Sequence, residues 1–176
     1  MTANNVRGIE HVGITVPDIQ EGERFFRDAF GATVLYRLVP RDADDVPGSD
    51  VHAANGLPKE NAMRAVTMMR LGNGANIELF QMAQPSRDQA PLLSDLGINH
   101  FSICVEDIEA AANAAERAGA TKLDGPMDAF AQEAGEGNRI WFVKSPWGGL
   151  IELLSLPSDM TYDSNATQKR LIPLPR

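Results

Sequence analysis

The sequence contains a single cysteine, Cys104, among its 176 residues, which excludes an internal disulfide framework and indicates a reducing compartment. No apolar run approaches the roughly 20 residues that a membrane span requires. The polar start, residues 1–7, lacks the charged-then-apolar order of a secretory signal. Basic residues are also fewer than acidic ones, which gives a net charge of -8 and a pI of about 4.8. We therefore expect a cytoplasmic protein that binds neither membrane nor nucleic acid.

What the sequence does contain is a motif that occurs twice. Six residues of the first copy recur as the same residue types 89 positions later: Ile9, His11, Ile14, Val16, Asp18 and Ile19. Each copy then reaches a Gly-Ala-Thr, at 31–33 and at 119–121, and each ends in Ile-Glu-Leu, at 77–79 and at 151–153. The chain is therefore a tandem duplication.

The first copy predicts a module over residues 7–82. Alternation over 9–16 indicates a strand that places His11 on the side away from Val12, Ile14 and Val16. Asp18 is a suitable N-cap for a helix over 19–30. Further strands are predicted over 34–39, 65–71 and 75–82, the last two joined by a Gly-Asn-Gly turn.

The second copy predicts the same order over residues 97–156. A strand over 98–105 places His100, Ser102 and Cys104 on one side, and an Ala-rich helix over 108–118 follows. The remaining predicted strands are 120–124, 138–144 and 149–156, the last two joined by a turn at 145–149. The sequence thus predicts an α+β fold of two tandem βαβββ modules with a linker over 84–96.

Two segments lie outside the repeat. Residues 41–61, rich in Asp, Pro, Gly and Asn, predict an irregular excursion that serves either as a solvated loop or as a lid. We expect His52, within it, to be a surface histidine. The C-terminal tail, 157–176, ends in apolar residues that pack either on this chain or on a partner subunit.

The duplication repeats one histidine near the start of each half and one glutamate near its end: His11, Glu78, His100 and Glu152. Two imidazoles and two carboxylates can bind a divalent first-row metal and leave a nearly neutral centre. A six-coordinate ion would keep two positions for water or substrate. The four side chains converge only if the two sheets curl toward a common cleft. We predict one ion per chain, either Zn, Ni, Co, Mn or Fe, and interpret Cys104 as a small buried thiol.

The chain resembles the vicinal oxygen chelate superfamily, which includes glyoxalase I, methylmalonyl-CoA epimerase, extradiol dioxygenases and bleomycin-resistance proteins. The resemblance covers residues 7–156, and the segments that carry it are 11–19, 25–31, 76–80, 100–108 and 145–153. It implies that the two modules form a half-open barrel around a metal ion. It places His11, Glu78, His100 and Glu152 on the four ligand positions.

Differences at single positions bear on the subfamily. Glyoxalase I carries an Arg and an Asn that help to hold glutathione where this chain has Thr15 and Met82. Methylmalonyl-CoA epimerase often carries a Gln where this chain has Glu78, and the excursion at 41–61 fits neither closely. Extradiol dioxygenases bind their metal through two His and one Glu, which leaves three coordination positions for catechol and oxygen. In this chain Glu78, as a fourth ligand, would block one of these positions.

The predicted activity is that of a metal-dependent lyase or isomerase, glyoxalase-like or epimerase-like. A small substrate with vicinal oxygens would chelate the ion, and loss of a proton from the adjacent carbon would give an enediolate or enolate. The resemblance to glyoxalase I implies that a ligand carboxylate, Glu78 or Glu152, is the base. Which of the two it is remains open at this point.

Two alternatives to this activity are an extradiol-type dioxygenase and a metal-free drug-binding protein of the bleomycin-resistance kind. Members of the second class generally lack the histidine and glutamate ligands, so their retention here favours an enzyme. An open, curled pair of sheets with an apolar tail predicts a homodimer, as does the resemblance.

Overall fold

The computed structural model describes residues 6–87 and 89–174. Parts of the predicted polar start, linker and tail, namely residues 1–5, 88 and 175–176, lie outside the described residues. The chain divides into two compact units. Unit 1 runs up to Glu23 and includes Ala32–Pro85, and unit 2 comprises Arg24–Gly31 and the chain from Ser86 onward.

Unit 1 contains a five-stranded sheet. Its strands are β1 (His11–Thr15), β2 (Thr33–Val39), β3 (Val46–Pro47), β4 (Ala62–Arg70) and β5 (Asn76–Met82). The sheet order is β1-β5-β4-β2, with β3 paired to β4. β1 and β5 are parallel neighbours, whereas the other pairs are antiparallel. The first and last predicted strands of the module therefore lie side by side.

The helix α1 (Ile19–Phe30) matches the predicted bounds. Asp18 caps it, since its Oδ1 accepts hydrogen bonds from the backbone N–H groups of Gln20 (2.9 Å) and Glu21 (3.1 Å). Gly22 allows the helix to approach the sheet, because a Cβ at that position would lie 3.1 Å from side-chain atoms of Leu79 and Val16. The first part of the helix, which belongs to unit 1, therefore lies close to Leu79.

The excursion over 41–61 is not irregular, which corrects the prediction. It contains β3 and the helix α2 (Gly48–Asn55). This helix begins where Gly48 meets the following turn: a Cβ there would lie 2.0 Å from the carbonyl oxygen of Pro58. Because that close approach is a tertiary contact, apolar periodicity does not reveal it. His52 is exposed on α2, as expected, and its Nδ1 lies 2.7 Å from the carbonyl oxygen of Leu57.

Unit 2 contains a second five-stranded sheet. Its strands are β6 (His100–Cys104), β7 (Thr121–Lys122), β8 (Met127–Asp128), β9 (Arg139–Lys144) and β10 (Leu150–Ser155). The order is β6-β10-β9-β7, with β8 paired to β9 and with β6 and β10 parallel. The helix α3 (Ile108–Arg117) is capped by Asp107, whose side chain accepts from the N–H of Ala110 at 2.8 Å. The predicted α+β fold of two βαβββ modules is confirmed, and neither sheet is closed.

The core of unit 2 includes the C-terminal part of α1. Phe26 is fully buried, and its ring centroid lies 6.0 Å from that of Trp147 and 6.4 Å from that of Phe101. Phe25 makes an edge-to-face contact with Trp147 at 5.3 Å. Since Phe101 lies on β6 between His100 and Ser102, this aromatic cluster supports the strand that carries those two polar side chains.

The C-terminal tail packs on unit 2 over part of its length. The N–H of Thr161 donates to the carbonyl oxygen of Gln132 at 2.9 Å, and the side chain of Asn138 bonds the backbone of Ser158. Further along, Arg170 pairs with Glu133. The apolar side chain of Leu171, next to it, is 92% exposed. The tail therefore packs on unit 2 up to Arg170, whereas the packing predicted for its apolar end stays a prediction. No helix in the described part of the chain is long and apolar enough to cross a membrane.

Candidate functional site

In unit 1, the structure brings His11 and Glu78 together. His11 opens β1, and Glu78 lies on β5 opposite Gly13 in the parallel register. Side chains two positions apart on a strand share a face, so His11 and Glu78 point to the same side of the sheet. His11 Nε2 lies 3.3 Å from Glu78 Oε2, and the glutamate side chain is only 15% exposed.

In unit 2, the same geometry recurs. His100 opens β6, and Glu152 lies on β10 opposite Ser102. His100 Nε2 lies 3.8 Å from Glu152 Oε2, and Glu152 is again 15% exposed. The tandem repeat has therefore produced the same histidine–glutamate pair in each unit, at equivalent register positions.

The second ring nitrogen of each histidine contacts the residue just before it. His11 Nδ1 lies 2.6 Å from Glu10 Oε2, and His100 Nδ1 lies 2.6 Å from Asn99 Oδ1. Hydrogen bonds from His11 and then from Asn76 lower the pKa of Glu10, so this carboxylate is an acceptor at neutral pH. The Asn99 amide donates through its own nitrogen to the carbonyl of Leu93, which leaves its oxygen to accept. Nδ1 is consequently the donor in both rings.

This arrangement meets the chemical requirements of a metal ligand. The other ring nitrogen of each histidine, Nε2, faces a carboxylate. Two electron-rich groups at this distance need a cation between them, either a proton or a metal ion. Histidines that bind metals ordinarily donate the other ring N–H in this way. The histidine and the glutamate of each unit are therefore donor types that a divalent metal accepts.

The four predicted ligands do not form one cluster in the structure. Among residues 6–87 and 89–174, no group of three or more His, Cys, Asp or Glu side chains is close enough to hold an ion. The structure shows two pairs, each within its own unit. A shared four-residue centre stays a prediction.

Cys104 corrects another expectation. It lies on β6 beyond His100 and Ser102, and it is exposed instead of buried. Atoms packed around the sulfur nevertheless desolvate the thiol and raise its pKa, an effect that Arg170 opposes and Glu152 reinforces. The tail therefore brings the positive charge of Arg170 within electrostatic range of the side of β6 that carries Cys104.

A cleft of unit 1 is separate from its histidine–glutamate pair. It has a volume of about 470 Å³, and its floor includes Ala65 and Thr67. These residues alternate along β4 with Met68, which pairs with Glu78, so the cleft lies on the opposite face of the sheet. The Thr67 hydroxyl donates to Glu23 at 2.8 Å, and Arg37 binds the same carboxylate with two nitrogens. Glu23 and Arg37 therefore form an ion pair in the cleft.

Comparison with known families decides the relationship of this chain. The family model described as glyoxalase/bleomycin resistance protein/dioxygenase superfamily matches residues 10–142. The chain belongs to this superfamily. The predicted resemblance is thus confirmed.

Relatives of this superfamily member agree with the match. The chain is 33% identical to a 2-epi-5-epi-valiolone epimerase from Actinomyces sp, over 97% of this chain and 92% of the relative. A glyoxalase family protein from Bacillus cereus shares the fold, with a TM-score of 0.67, 21% identity, and coverage of 88% of this chain and 97% of that one. Trypanothione-dependent glyoxalase I from Leishmania major shows a TM-score of 0.55 at 18% identity, with coverage of 85% of this chain and 87% of that one.

Sequence analysis missed two of the residues that contact the predicted ligands His11 and His100. Glu10 and Asn99 each precede a repeated histidine, and they are themselves 89 positions apart. Their equivalent positions in the repeat could have identified them, but the two residues are of different types, so the repeat did not make them stand out. The hydrogen bond from the Ser102 hydroxyl to Glu152 was missed as well, although the place of Ser102 on the same side as His100 was predicted.

Proposed function

We propose that this chain is a divalent-metal-dependent epimerase that acts on a small hydroxyketone with neighbouring oxygens. The observation that carries the proposal is the repeated pair, His11 with Glu78 and His100 with Glu152. The similarity to 2-epi-5-epi-valiolone epimerase extends over nearly the whole chain and favours epimerisation over the lyase reactions of the same superfamily.

The two pairs together are proposed to hold one ion per chain. Each histidine would bind it through Nε2 and each glutamate through its carboxylate. The Nδ1 contacts to Glu10 and Asn99 support this, since they leave both Nε2 lone pairs free. This donor set suits Zn, Ni, Co, Mn or Fe. When bound, the ion supplies a Lewis acid that stabilises negative charge on substrate oxygens.

The protein's own part in the reaction is proton transfer. A glutamate carboxylate accepts the proton from the carbon next to the substrate's carbonyl group. A proton delivered to the opposite face of that carbon then gives the epimer, with no net oxidation or reduction. Glu78 is largely buried for a carboxylate: its side chain is 15% exposed, and Met68, opposite it on β4, is 5% exposed.

Solvent exchange tests this function. The metal-loaded protein, incubated with 2-epi-5-epi-valiolone in D₂O, is expected to form an epimer with deuterium at the inverted carbon, observed by NMR. Removing metal with a chelator should slow exchange by about 100-fold or more, because base catalysis without charge stabilisation is weak. An unchanged rate after chelation would contradict metal dependence. Oxygen-dependent cleavage of a catechol ring, with no exchange, would establish a dioxygenase instead.

We also propose that the protein assembles as a homodimer. Ile9 and Ile98, equivalent positions just before β1 and β6, are 79% and 78% exposed. Covering such side chains stabilises an assembly by about 25 cal/mol for each Å² of apolar surface buried. Light scattering at micromolar concentration should give about twice the 19.1 kDa chain mass. A mass near that of one chain would rule the dimer out.

A further inference from the structure

The repeated glutamates occupy equivalent positions but have different neighbours. In the parallel register of β1 and β5, the residue opposite Glu78 is Gly13. In the parallel register of β6 and β10, the residue opposite Glu152 is Ser102. Gly13 and Ser102 are themselves 89 positions apart, so the duplication has diverged beside the carboxylate.

The difference gives Glu152 a hydrogen bond. The Ser102 hydroxyl donates to Glu152 Oε2, the same oxygen that faces His100. Backbone pairing of β6 with β10 sets this contact, because the two residues are direct partners in the ladder. Moving the Glu152 carboxylate away from Ser102 therefore breaks this hydrogen bond.

Glu78 has no such constraint. Within the described residues, its carboxylate contacts one polar side chain, His11 at 3.3 Å. Gly13 offers no hydroxyl, although space exists for a small side chain: a Cβ there would meet Phe80 at 3.4 Å, an ordinary contact. Crowding therefore does not account for the missing hydroxyl, and Glu78 can rotate without losing a hydrogen bond.

We infer that Ser102 is a positioning residue that holds Glu152 as the fixed carboxylate of the site, and that Glu78 is the carboxylate that moves the substrate's proton. This assignment rests on the proposed function. Glu78 takes the proton from the carbon next to the carbonyl, and the electron pair of the broken C–H bond moves toward the carbonyl oxygen. Glu78 then releases that proton to solvent, a proton from solvent is added to the opposite face of the carbon, and the electron pair returns from the oxygen to form the new C–H bond, so that no net proton or electron is gained or lost.

Zinc affinity tests the role of Ser102 without any substrate. Ser102→Ala is expected to weaken Zn²⁺ binding by about 10- to 100-fold, the usual effect of losing a residue that orients a ligand. Ser102→Thr keeps the hydroxyl and should restore most of the affinity. Gly13→Ala, the matched control in unit 1, should change little. If Ser102→Thr weakens binding as much as Ser102→Ala, or if neither does, the positioning role is rejected.

Two glutamine variants test the base. At saturating Zn²⁺, Glu78→Gln should slow deuterium incorporation into 2-epi-5-epi-valiolone by about 100-fold, the scale of general-base removal. Glu152→Gln should mainly weaken Zn²⁺ binding and keep more of the exchange once saturated. The reverse pattern would overturn the assignment. If the wild type binds Zn²⁺ but exchanges nothing with this ketone, the proposed substrate is wrong. The Zn²⁺ affinities then still decide the assignment, because a fixed Glu152 requires Glu152→Gln to lose more affinity than Glu78→Gln.

Discussion

The double variant His11→Ala, His100→Ala is expected to lose its metal ion, whereas the wild type should retain about one per chain when purified without chelator. The two imidazoles are half of the proposed donor set, and each faces a carboxylate in its own unit. Removing both leaves two carboxylates, which bind first-row metals far more weakly than a mixed nitrogen and oxygen site. Elemental analysis of the purified proteins measures the outcome.

The chain provides a matched control for this variant in its third histidine. His52 is exposed on α2, and its ring contacts the backbone of Leu57. His52→Ala should therefore leave the metal content unchanged. Circular dichroism would confirm that all variants remain folded. Full occupancy in the double variant, or loss in His52→Ala alone, would refute the metal assignment.

The second large effect concerns stability. Phe26→Ala is expected to lower the free energy of unfolding by about 3–5 kcal/mol, because it removes a fully buried ring and leaves a cavity. Contacts with Phe101 and Trp147 are lost with the ring. Chemical denaturation followed by circular dichroism gives the value.

An exposed phenylalanine of unit 2 is the control for this experiment. Phe130 is 73% exposed, so Phe130→Ala should change the free energy of unfolding by no more than about 0.5 kcal/mol. A loss below about 1 kcal/mol for Phe26→Ala would show that the aromatic cluster contributes little. Because Phe101 lies between His100 and Ser102, Phe26→Ala should also weaken metal binding.

Local patterns predicted most of the elements. α1 matches its predicted bounds, since Asp18 and Gly31 signal its ends directly. Strand ends differ by a few residues, as with β4, which begins at Ala62. β8, which has only two residues, and α2 were not predicted. α2 carries no clear apolar stripe, and it begins at the close contact of Gly48 with Pro58.

The candidate site divides in a similar way. The types and positions of His11, Glu78, His100 and Glu152 were predictable because the duplication repeats them. Their hydrogen-bond partners were not, because Glu10, Asn99 and Ser102 matter through side-chain contacts that periodicity does not encode. The exposure of Cys104 was likewise decided by its surroundings.

By itself, the sequence determined that this protein is a duplicated α+β chain in which each half repeats a histidine near its start, His11 or His100, and a glutamate near its end, Glu78 or Glu152. A repeat and an alternation of apolar residues can both be recognised from the order of the residues alone. The tertiary structure decided that each histidine faces its glutamate and that Glu152 has a serine partner while Glu78 has a glycine. Ser102 and Glu152 are 50 residues apart, so only the pairing of β6 with β10 brings the hydroxyl to the carboxylate.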